Sequence, residues 1–198
     1  MKYLRFLGNE FLLGTLIAIL SALTAISGYQ SSLAGGEQNN AEIKGMQSLN
    51  DGNAEYLTEN QNISQDYNYY DNWYLNQTDH PDIADYYHGN FSQQLQDAIA
   101  RDPNKVWDDQ YYTEMAATST DLFNKSEAYF KLGSDWNERG DLLGLVVMIM
   151  ALGVAFAAWA SLLKEESSLR IVFSIFAIAM LIYGLVTYLG VPAVAVAV

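Results

Sequence analysis

The sequence predicts an all-α membrane protein with three transmembrane helices, an extracytoplasmic antiparallel helical stalk and a small helical tip. Three observations predict this class. The 198 residues contain three long blocks without charge. The chain has ten Lys/Arg against 23 Asp/Glu, and one central segment contains most of these charged residues. Within that segment apolar residues recur at helical spacing. Although only 51% of the residues are apolar, this distribution excludes an ordinary soluble globule.

The charge balance and the missing cysteines exclude several classes of function. A net charge of −13 argues against nucleic acid as a partner, because phosphate binding needs clustered Lys and Arg. The absence of cysteine excludes a disulfide scaffold, a thiol nucleophile and thiolate metal sites. The sequence also contains no phosphate-loop, nucleophile-elbow or His-Glu-x-x-His motif. We therefore expect a non-enzymatic protein that needs no organic cofactor.

The first predicted span follows a short N-terminal segment, residues 1–10. Its apolar run, residues 11–27, is at the short end of what a helix needs to cross about 30 Å of hydrocarbon. A cleaved signal peptide is the competing interpretation. Glu10, directly before the run, and the length of the run favour a retained anchor.

Two further spans are predicted near the end of the chain. Residues 142–163 reach about 33 Å at ~1.5 Å per residue, and residues 171–189 form the third span. The seven residues between them, 164–170, allow only a tight loop, so we expect two antiparallel neighbours. The apolar tail, residues 190–198, has three open interpretations: it lies in the membrane interface, adds to a neighbouring chain, or frays.

Basic residues predict the orientation in the cell (inner or plasma) membrane. Lys2 and Arg5 precede the first span, and Lys164 and Arg170 flank the loop between the last two. With three spans both places lie on one side, so we expect the N-terminus and this loop in the cytoplasm. Residues 28–141 and the C-terminus are then outside. Because the apolar runs contain no ionisable residue, a pump or secondary transporter is not expected.

Two spans carry small residues at four-residue spacing. Gly14, Ala18 and Ala22 form such a stripe in the first span, and Gly153, Ala157 and Ser161 form one in the second. Small residues let helix backbones approach closely and pack by dispersion. The stripes therefore predict either an interface between subunits or packing within one chain.

The segment outside the membrane, residues 28–141, is acidic but is expected to fold. It contains 20 Asp/Glu and six Lys/Arg, together with 11 of the 14 tyrosines and three of the four tryptophans. Disordered acidic segments are poor in aromatic residues, and this segment is rich in them.

A heptad pattern follows the first span. Steps of three and four residues connect Met46, Leu49, Asn53, Tyr56, Asn60, Ile63, Tyr67, Tyr70 and Tyr74. We call this set the predicted seam and expect it to contact a second copy or another subunit. A buried Asn in a seam lowers stability but fixes register and oligomeric state. The alternative is that Asn53 and Asn60 simply face solvent.

A second long helix is predicted to lead into the second span. Apolar residues recur at helical spacing over 105–140, and Pro103 suits the first turn. Gly133 and Gly140 are expected to mark bends. This helix and the continuation of the first span would pack antiparallel as the stalk.

Two short helices are predicted between the long ones, and they form the tip. In the first, Asp79 is the expected cap, Pro81 lies in the first turn and Gly89 ends the helix. Asn90 is expected to cap the second. One face of that second helix would be apolar and would carry Phe91, Leu95, Ala98 and Ile99.

The tip contains a candidate site for a divalent cation. His80, Asp82, Asp85 and His88 lie close together in sequence, and imidazole with carboxylate suits a divalent metal. The spacing matches no known motif, however, and the aspartates are also explained as charges at a helix N-terminus.

The tyrosine-rich run 67–74 allows two interpretations. Aromatic faces beside Asn and Asp could stack on a sugar, but the same residues lie on the predicted seam and its flanks. Packing or partner contact is therefore the favoured use.

The layout resembles a family of small bacterial three-span membrane proteins of unknown function, the domain-of-unknown-function class number 4337. The Trp/Tyr cluster 69–74 and the charged loop 164–170 carry this resemblance, whereas the acidic tip 78–102 departs from it. The resemblance supports the three-span fold and implies no activity.

The sequence thus predicts a structural or accessory subunit of an oligomeric or hetero-oligomeric membrane complex. Its partners would be the lipid bilayer and either further copies of itself or other membrane subunits. The alternative is an extracytoplasmic module that binds a cation, a glycan or a cell-wall component through the acidic aromatic tip. A channel formed by an oligomer is a third hypothesis.

Overall fold

The computed structural model describes residues 6–195, and every regular element among them is a helix. Lys2 and Arg5, which contribute to the predicted orientation, lie outside these residues, as do 196–198 of the tail. The helices in chain order are α1 (Glu10–Asn76), α2 (Pro81–His88), α3 (Gln93–Arg101), α4 (Asp109–Met115), α5 (Ala117–Leu162) and α6 (Ser168–Leu189).

Three of these helices, α1, α5 and α6, are by length and composition apolar enough to cross a membrane, and each contains one of the three predicted spans. The helix α1 runs without a break for 67 residues, well beyond its apolar part. Between α5 and α6 the chain is non-helical only from Leu163 to Ser167, so Arg170 lies in the first turn of α6.

The chain divides into two compact units. The insert unit is continuous in sequence and comprises Ile43–Tyr129. The span unit is built from both ends of the chain and, among the described residues, comprises 6–42 and 130–195. The insert unit lies within the segment 28–141 that the sequence predicts to fold outside the membrane.

The core of the span unit joins the three long helices. Its fully or nearly fully buried apolar residues are Leu16, Leu20, Val146, Met150, Ala157 and Ala177. The rings of Phe156 and Phe173 stack with their centroids 6.2 Å apart. Two hydroxyls in these helices, those of Ser174 and Thr24, donate to carbonyls of the preceding turn, Arg170 and Leu20, both at 2.7 Å.

Arg170 joins the ends of the three long helices of the span unit. Its side chain is only 2% exposed. The guanidinium donates Nε–H to the carbonyl of Gly8, just before α1, and an Nη1 hydrogen to that of Leu163, just after α5, both at 2.7 Å. The fork of the guanidinium suits two acceptors at once, and a lysine ammonium has no such geometry.

The core of the insert unit is formed largely by α3, α4 and the residues next to them. Its buried residues are Phe91, Leu95, Ala98, Val106, Tyr111 and Met115. Aromatic residues of α1 pack against them, among them Tyr70 and Trp73. The apolar face that the sequence predicts for the second short helix, α3, is therefore confirmed.

The caps of the two short helices differ from the prediction. The residue before α2 is His80 rather than Asp79, with no side-chain cap, whereas Pro81 and Gly89 mark its start and end as predicted. The cap of α3 is Ser92, whose hydroxyl accepts from the amide of Leu95 at 3.0 Å. The side-chain amide of Asn90 instead donates to the carbonyl of Tyr86 at 2.7 Å, at the end of α2, and Asn90 does not cap α3.

The predicted continuous helix over 105–140 is wrong in its first part. Residues 102–108 are non-helical, and a break at Ala116 separates α4 from α5. Asp108 accounts for the late start of α4, because its carboxylate accepts from the amide of Tyr111 at 2.7 Å and pairs with Arg101 at 3.0 Å. Both bonds hold the pKa of Asp108 below its usual range.

Gly133 and Gly140, where bends are predicted, both lie inside α5, which stays helical through both positions. These glycines allow close packing of α1 against α5. A Cβ at Gly133 would lie 3.2 Å from Cγ of Glu42, and one at Gly140 would lie 3.6 Å from Cβ of Ala34. The hydroxyl of Ser31 also donates to the carbonyl of Gly140 at 2.9 Å.

Candidate functional site

The buried face of α1 in the insert unit lies mostly one residue before the predicted seam. The positions buried on this face are Gly45, Ser48, Gly52, Glu59 and Asp66. Five of the predicted residues come directly after these positions or in the same turn and stay exposed: Met46, Leu49, Asn53, Tyr56 and Asn60. We call these five residues the exposed seam. The exposed seam is therefore not part of the face that packs within the insert unit, and the role of the predicted seam as a subunit interface stays a prediction.

Small residues explain why the buried face takes this position. The hydroxyl of Ser126 on α5 donates to the carbonyl of Gly45 at 2.9 Å. A Cβ at Gly52 would lie 2.8 Å from the ring of Phe123 and 3.3 Å from Cβ of Leu122. The two helices thus contact through backbone and glycine, and the larger side chains of the seam remain on the outside.

Glu59 is a buried carboxylate at the start of α5. It is 5% exposed, and its oxygens accept from the backbone amide of Ser119 at 3.0 Å and from the hydroxyl of the same serine. Ser119 lies in the first turn of α5, where backbone amides have no partner within the helix. The carboxylate therefore satisfies a helix N-terminus, and the helix dipole stabilises its charge.

Asp66 plays the same part at the start of α3. It is 3% exposed and accepts from the amide of Ser92 at 3.0 Å, from the Ser92 hydroxyl, and from the Tyr111 hydroxyl at 2.8 Å. Sequence analysis missed Glu59 and Asp66. The only sequence signal is that Gly45, Gly52, Glu59 and Asp66 follow one another at intervals of seven residues.

The upper part of the predicted seam is occupied within the chain. The ring of Tyr67 lies 4.2 Å from that of Trp107, and its hydroxyl bonds to that of Tyr112. Tyr70 packs against Trp73, with ring centroids 5.4 Å apart. Ile63 also packs on the core of the insert unit. Tyr74, 66% exposed, is the most accessible residue in this part of the seam, and Tyr67 is 37% exposed despite its contacts.

Tyr111 and Tyr112, two tyrosines near Tyr67, resist ionisation. The hydrogen bond to Tyr67, followed by partial burial, raises the pKa of Tyr112 to about 12. Burial first, and then the hydrogen bond to Asp66, raises the pKa of Tyr111 well above its usual range. Both phenols stay neutral at physiological pH, so they act as hydrogen-bond partners and not as charges.

The structure does not bring the four predicted metal ligands together. Within residues 6–195 no group of three or more His, Asp or Glu side chains could hold a metal ion. His80, Asp82, Asp85 and His88 are all exposed. The ring of His88 packs against Phe91 at 5.0 Å between centroids.

The two small-residue stripes have different surroundings. Gly153 and Ala157 are buried in the span unit, where a Cβ at Gly153 would lie 2.9 Å from Leu20 and 3.1 Å from Met180. Packing within the chain therefore accounts for this stripe. The other stripe, Gly14, Ala18 and Ala22, is exposed, and no described atom comes within 4 Å of a Cβ built at Gly14.

The comparisons with known proteins give no relative. No protein-family model, no curated protein and no solved structure matches this chain. The resemblance in layout to the bacterial family of unknown function consequently stays a prediction. Function has to be inferred from the exposed surfaces and buried contacts of the chain itself.

Proposed function

We propose that the protein is a multi-pass membrane protein that works as a structural or accessory subunit and assembles through α1. The single observation that supports this most is the exposed seam. It presents an apolar and amide surface of two heptads on a strongly acidic chain. A subunit of this kind needs no catalytic residues, and the proposal assigns none.

The exposed seam suits a second copy of the chain. Three acids lie between residues 46 and 60. Asp51 and Glu55 are at heptad positions f and c, away from the seam, and Glu59, at the g position beside it, is buried against Ser119. Two chains with a net charge of −13 could therefore pack along this face without opposing exposed carboxylates. Asn53 and Asn60 occupy equivalent heptad positions, where paired asparagines favour a fixed register.

The exposed stripe of α1 offers a second contact inside the membrane. Gly14, Ala18 and Ala22 follow one another at four-residue spacing with space around them. In lipid, helices associate by close packing of such residues, since no hydrophobic effect drives them together. The stripe and the exposed seam belong to one helix, which supports α1 as the assembling element.

The proposed placement follows the distribution of basic residues. The N-terminus and the loop after α5 would lie in the cytoplasm, and the insert unit would lie outside. Contacts such as Gly52 with Phe123 and Gly45 with Ser126 support an antiparallel pairing of α1 and α5, because rising numbers on one helix meet falling numbers on the other.

The mass of the gently solubilised protein tests the assembly. We expect the full-length protein to be larger than a monomer. Tyr56→Glu places a charge on the exposed seam and should dissociate a self-assembly, because like charges would face each other in a partly desolvated contact. Asn53→Leu should change the number of subunits, since a buried Asn fixes the oligomeric state.

Two controls distinguish loss of assembly from loss of folding. Thr58→Glu adds the same charge to an exposed position of α1 off the seam and should leave the mass unchanged. Gly14→Leu fills space that no described residue occupies, so it should weaken assembly but leave the helical circular dichroism unchanged. A monomeric wild type, or a Tyr56→Glu variant that assembles like wild type, would refute assembly through the exposed seam.

A binding module at the tip is the second candidate. Tyr74 and Tyr86 are 66% and 65% exposed, and Asp82 and Asp85 are exposed on the same short helix as Tyr86. These residues leave aromatic faces beside carboxylates open to a glycan. Protection of residues 74–86 from hydrogen exchange on addition of cell-wall glycan fragments to the full-length protein would support this candidate.

A further inference from the structure

The span unit contains a cavity of about 440 Å³ that the proposed assembly does not use. Residues of α1, of α5 and of the C-terminal tail line it. The lining is apolar at Leu33, Ala34, Trp136, Ala193 and Val194, and polar at Gln30, Glu37 and Arg139. We call it the interface cavity. Its volume is within the range of pockets that bind small organic molecules.

The interface cavity lies where the apolar parts of two spans end. On α1, Gln30 comes three residues after Ser27, the last residue of the apolar run. On α5, Arg139 comes three residues before Leu142, where the second apolar run begins. Trp136 is half-buried, and tryptophan is enriched at the level of lipid headgroups. The cavity thus begins where the two apolar runs end and extends along α1 to Glu37, ten residues beyond Ser27. In the proposed membrane placement this is the headgroup side of the interface.

Two opposite charges line the cavity without pairing. The two ion pairs found among residues 6–195 both belong to Arg101, so no N···O contact within 4.0 Å joins Glu37 and Arg139. Arg139 donates one Nη1 hydrogen bond to the carbonyl of Pro192, which fastens the tail beside the cavity. Its guanidinium has five N–H donors, so most of them remain for another acceptor.

We propose that the interface cavity binds one phospholipid with an amine-bearing, zwitterionic headgroup. The guanidinium of Arg139 would bind the phosphate, and the carboxylate of Glu37 would bind the ammonium. The apolar residues would contact the glycerol and the first methylenes of the acyl chains. The occupant comes from the surrounding bilayer, so this inference rests on the membrane placement proposed above but not on self-assembly.

The tail acquires a role in this arrangement. Ala193 and Val194 form part of the cavity wall, and Arg139 holds the tail by its backbone. An uncharged tail of small and branched residues can cover a lipid without competing for its headgroup. This use is more specific than the three interpretations that the sequence leaves open.

Lipid retention by the full-length protein tests the proposal. The protein is reconstituted in nanodiscs with equal amounts of phosphatidylethanolamine and phosphatidylglycerol, extracted in mild detergent, and weighed by native mass spectrometry. We expect one retained lipid per chain, with phosphatidylethanolamine preferred. Glu37→Gln should reduce that preference about tenfold, because hydrogen bonds to charged groups contribute about 1.5–3 kcal/mol.

Matched variants separate the site from general effects. Arg139→Gln should lower retention of both lipids about tenfold, since both carry the phosphate. Glu138→Gln removes the neighbouring exposed carboxylate, which does not line the cavity, and should leave retention unchanged. Because Arg139→Gln also releases the tail, Glu37→Gln, which leaves the bond to Pro192 intact, provides the decisive comparison.

Three results would overturn the proposal. The first is a wild type that retains no lipid or shows no preference, and the second is a Glu37→Gln variant with an unchanged preference. The third is displacement of the lipid by soluble phosphoethanolamine, which would make the occupant a small molecule. A protein that does not enter membranes at all would refute the proposed function as well, and phase partitioning of the same sample distinguishes that failure.

Discussion

Glu59 and Asp66 lie seven residues apart on α1, and each buried carboxylate binds a serine in or next to the first turn of another helix. Two turns of one helix thus organise the starts of α5 and α3. Burial of a carboxylate is costly unless hydrogen bonds replace its water, and here a backbone amide and a hydroxyl do so in both cases. The two acids are therefore expected to support the insert unit and not to serve as binding groups.

Replacing Asp66 by Asn should destabilise the insert unit. The amide has one acceptor oxygen where the carboxylate has two, so the donors of Ser92 and Tyr111 cannot all be satisfied. The loss is about 2–3 kcal/mol, the cost of unpaired buried groups. Hydrogen exchange of the Leu95 amide, which bonds to the Ser92 hydroxyl, should accelerate. Asp71→Asn on the exposed side of α1 is the control, and equal exchange in both variants would contradict this role.

Gly52→Ala and Gly36→Ala should have opposite effects, although both lie within α1. Alanine favours a helix by about 1 kcal/mol over glycine, so Gly36→Ala, with no atom within 4 Å of its new Cβ, should stabilise. At Gly52 the Cβ would meet the ring of Phe123 at 2.8 Å, and such overpacking costs about 1–3 kcal/mol. Thermal unfolding followed by circular dichroism measures the difference. Two variants of equal stability would place the contact of α1 and α5 elsewhere.

Alkaline pH should destabilise the insert unit through Tyr112. The hydrogen bond to Tyr67 raises its pKa to about 12 from the ordinary 10.0, so the folded state keeps a proton that the unfolded state releases. Its contribution to stability is complete below pH 10.0 and is lost as the pH rises towards about 12. Tyrosinate absorbance during a pH titration should show a late step that Tyr67→Phe moves to lower pH. A late step unaffected by Tyr67→Phe would contradict this assignment.

Replacing Arg170 by Met should loosen the span unit. The carbonyls of Gly8 and Leu163 would lose their charged donor in a place where Arg170 is nearly inaccessible to water. We expect a loss of about 2–4 kcal/mol, because each bond to a charged group contributes about 1.5–3 kcal/mol and the burial of the charge offsets part of it. Unfolding in detergent measures this. Lys164→Met, at an exposed position nearby, should have little effect.

The three spans could be predicted because lipid imposes one simple requirement. A helix in hydrocarbon needs about twenty residues without charge, and three such runs are visible in the sequence. The starts of the short helices were harder to place. For α3, Asn90 and Ser92 are both ordinary capping residues, and the contact of Ser92 with Asp66 accompanies the choice of Ser92. For α2, the predicted and observed cap positions, Asp79 and His80, differ by one residue.

The position of the buried face of α1 could not be predicted from apolar periodicity. That face consists of two glycines, one serine and two acids, whereas Met46, Leu49 and Tyr56 of the apolar pattern are exposed. The hydroxyls that make burial of the acids possible come from serines 26 and 60 residues further along the chain. No local rule connects such distant partners, so Glu59 and Asp66 resemble ordinary surface carboxylates in the sequence.

The bond between Arg170 and Gly8 joins residues 162 positions apart, which has a consequence for biosynthesis. The insert unit is complete once the ribosome has passed Tyr129, but the span unit needs α6 before its helix ends can be fastened. In the proposed membrane placement, the first span would therefore enter the lipid before Arg170 is made, and the carbonyl of Gly8 would lack this donor until α6 is synthesised. A factor that chaperones nascent membrane proteins would meet this chain in that interval.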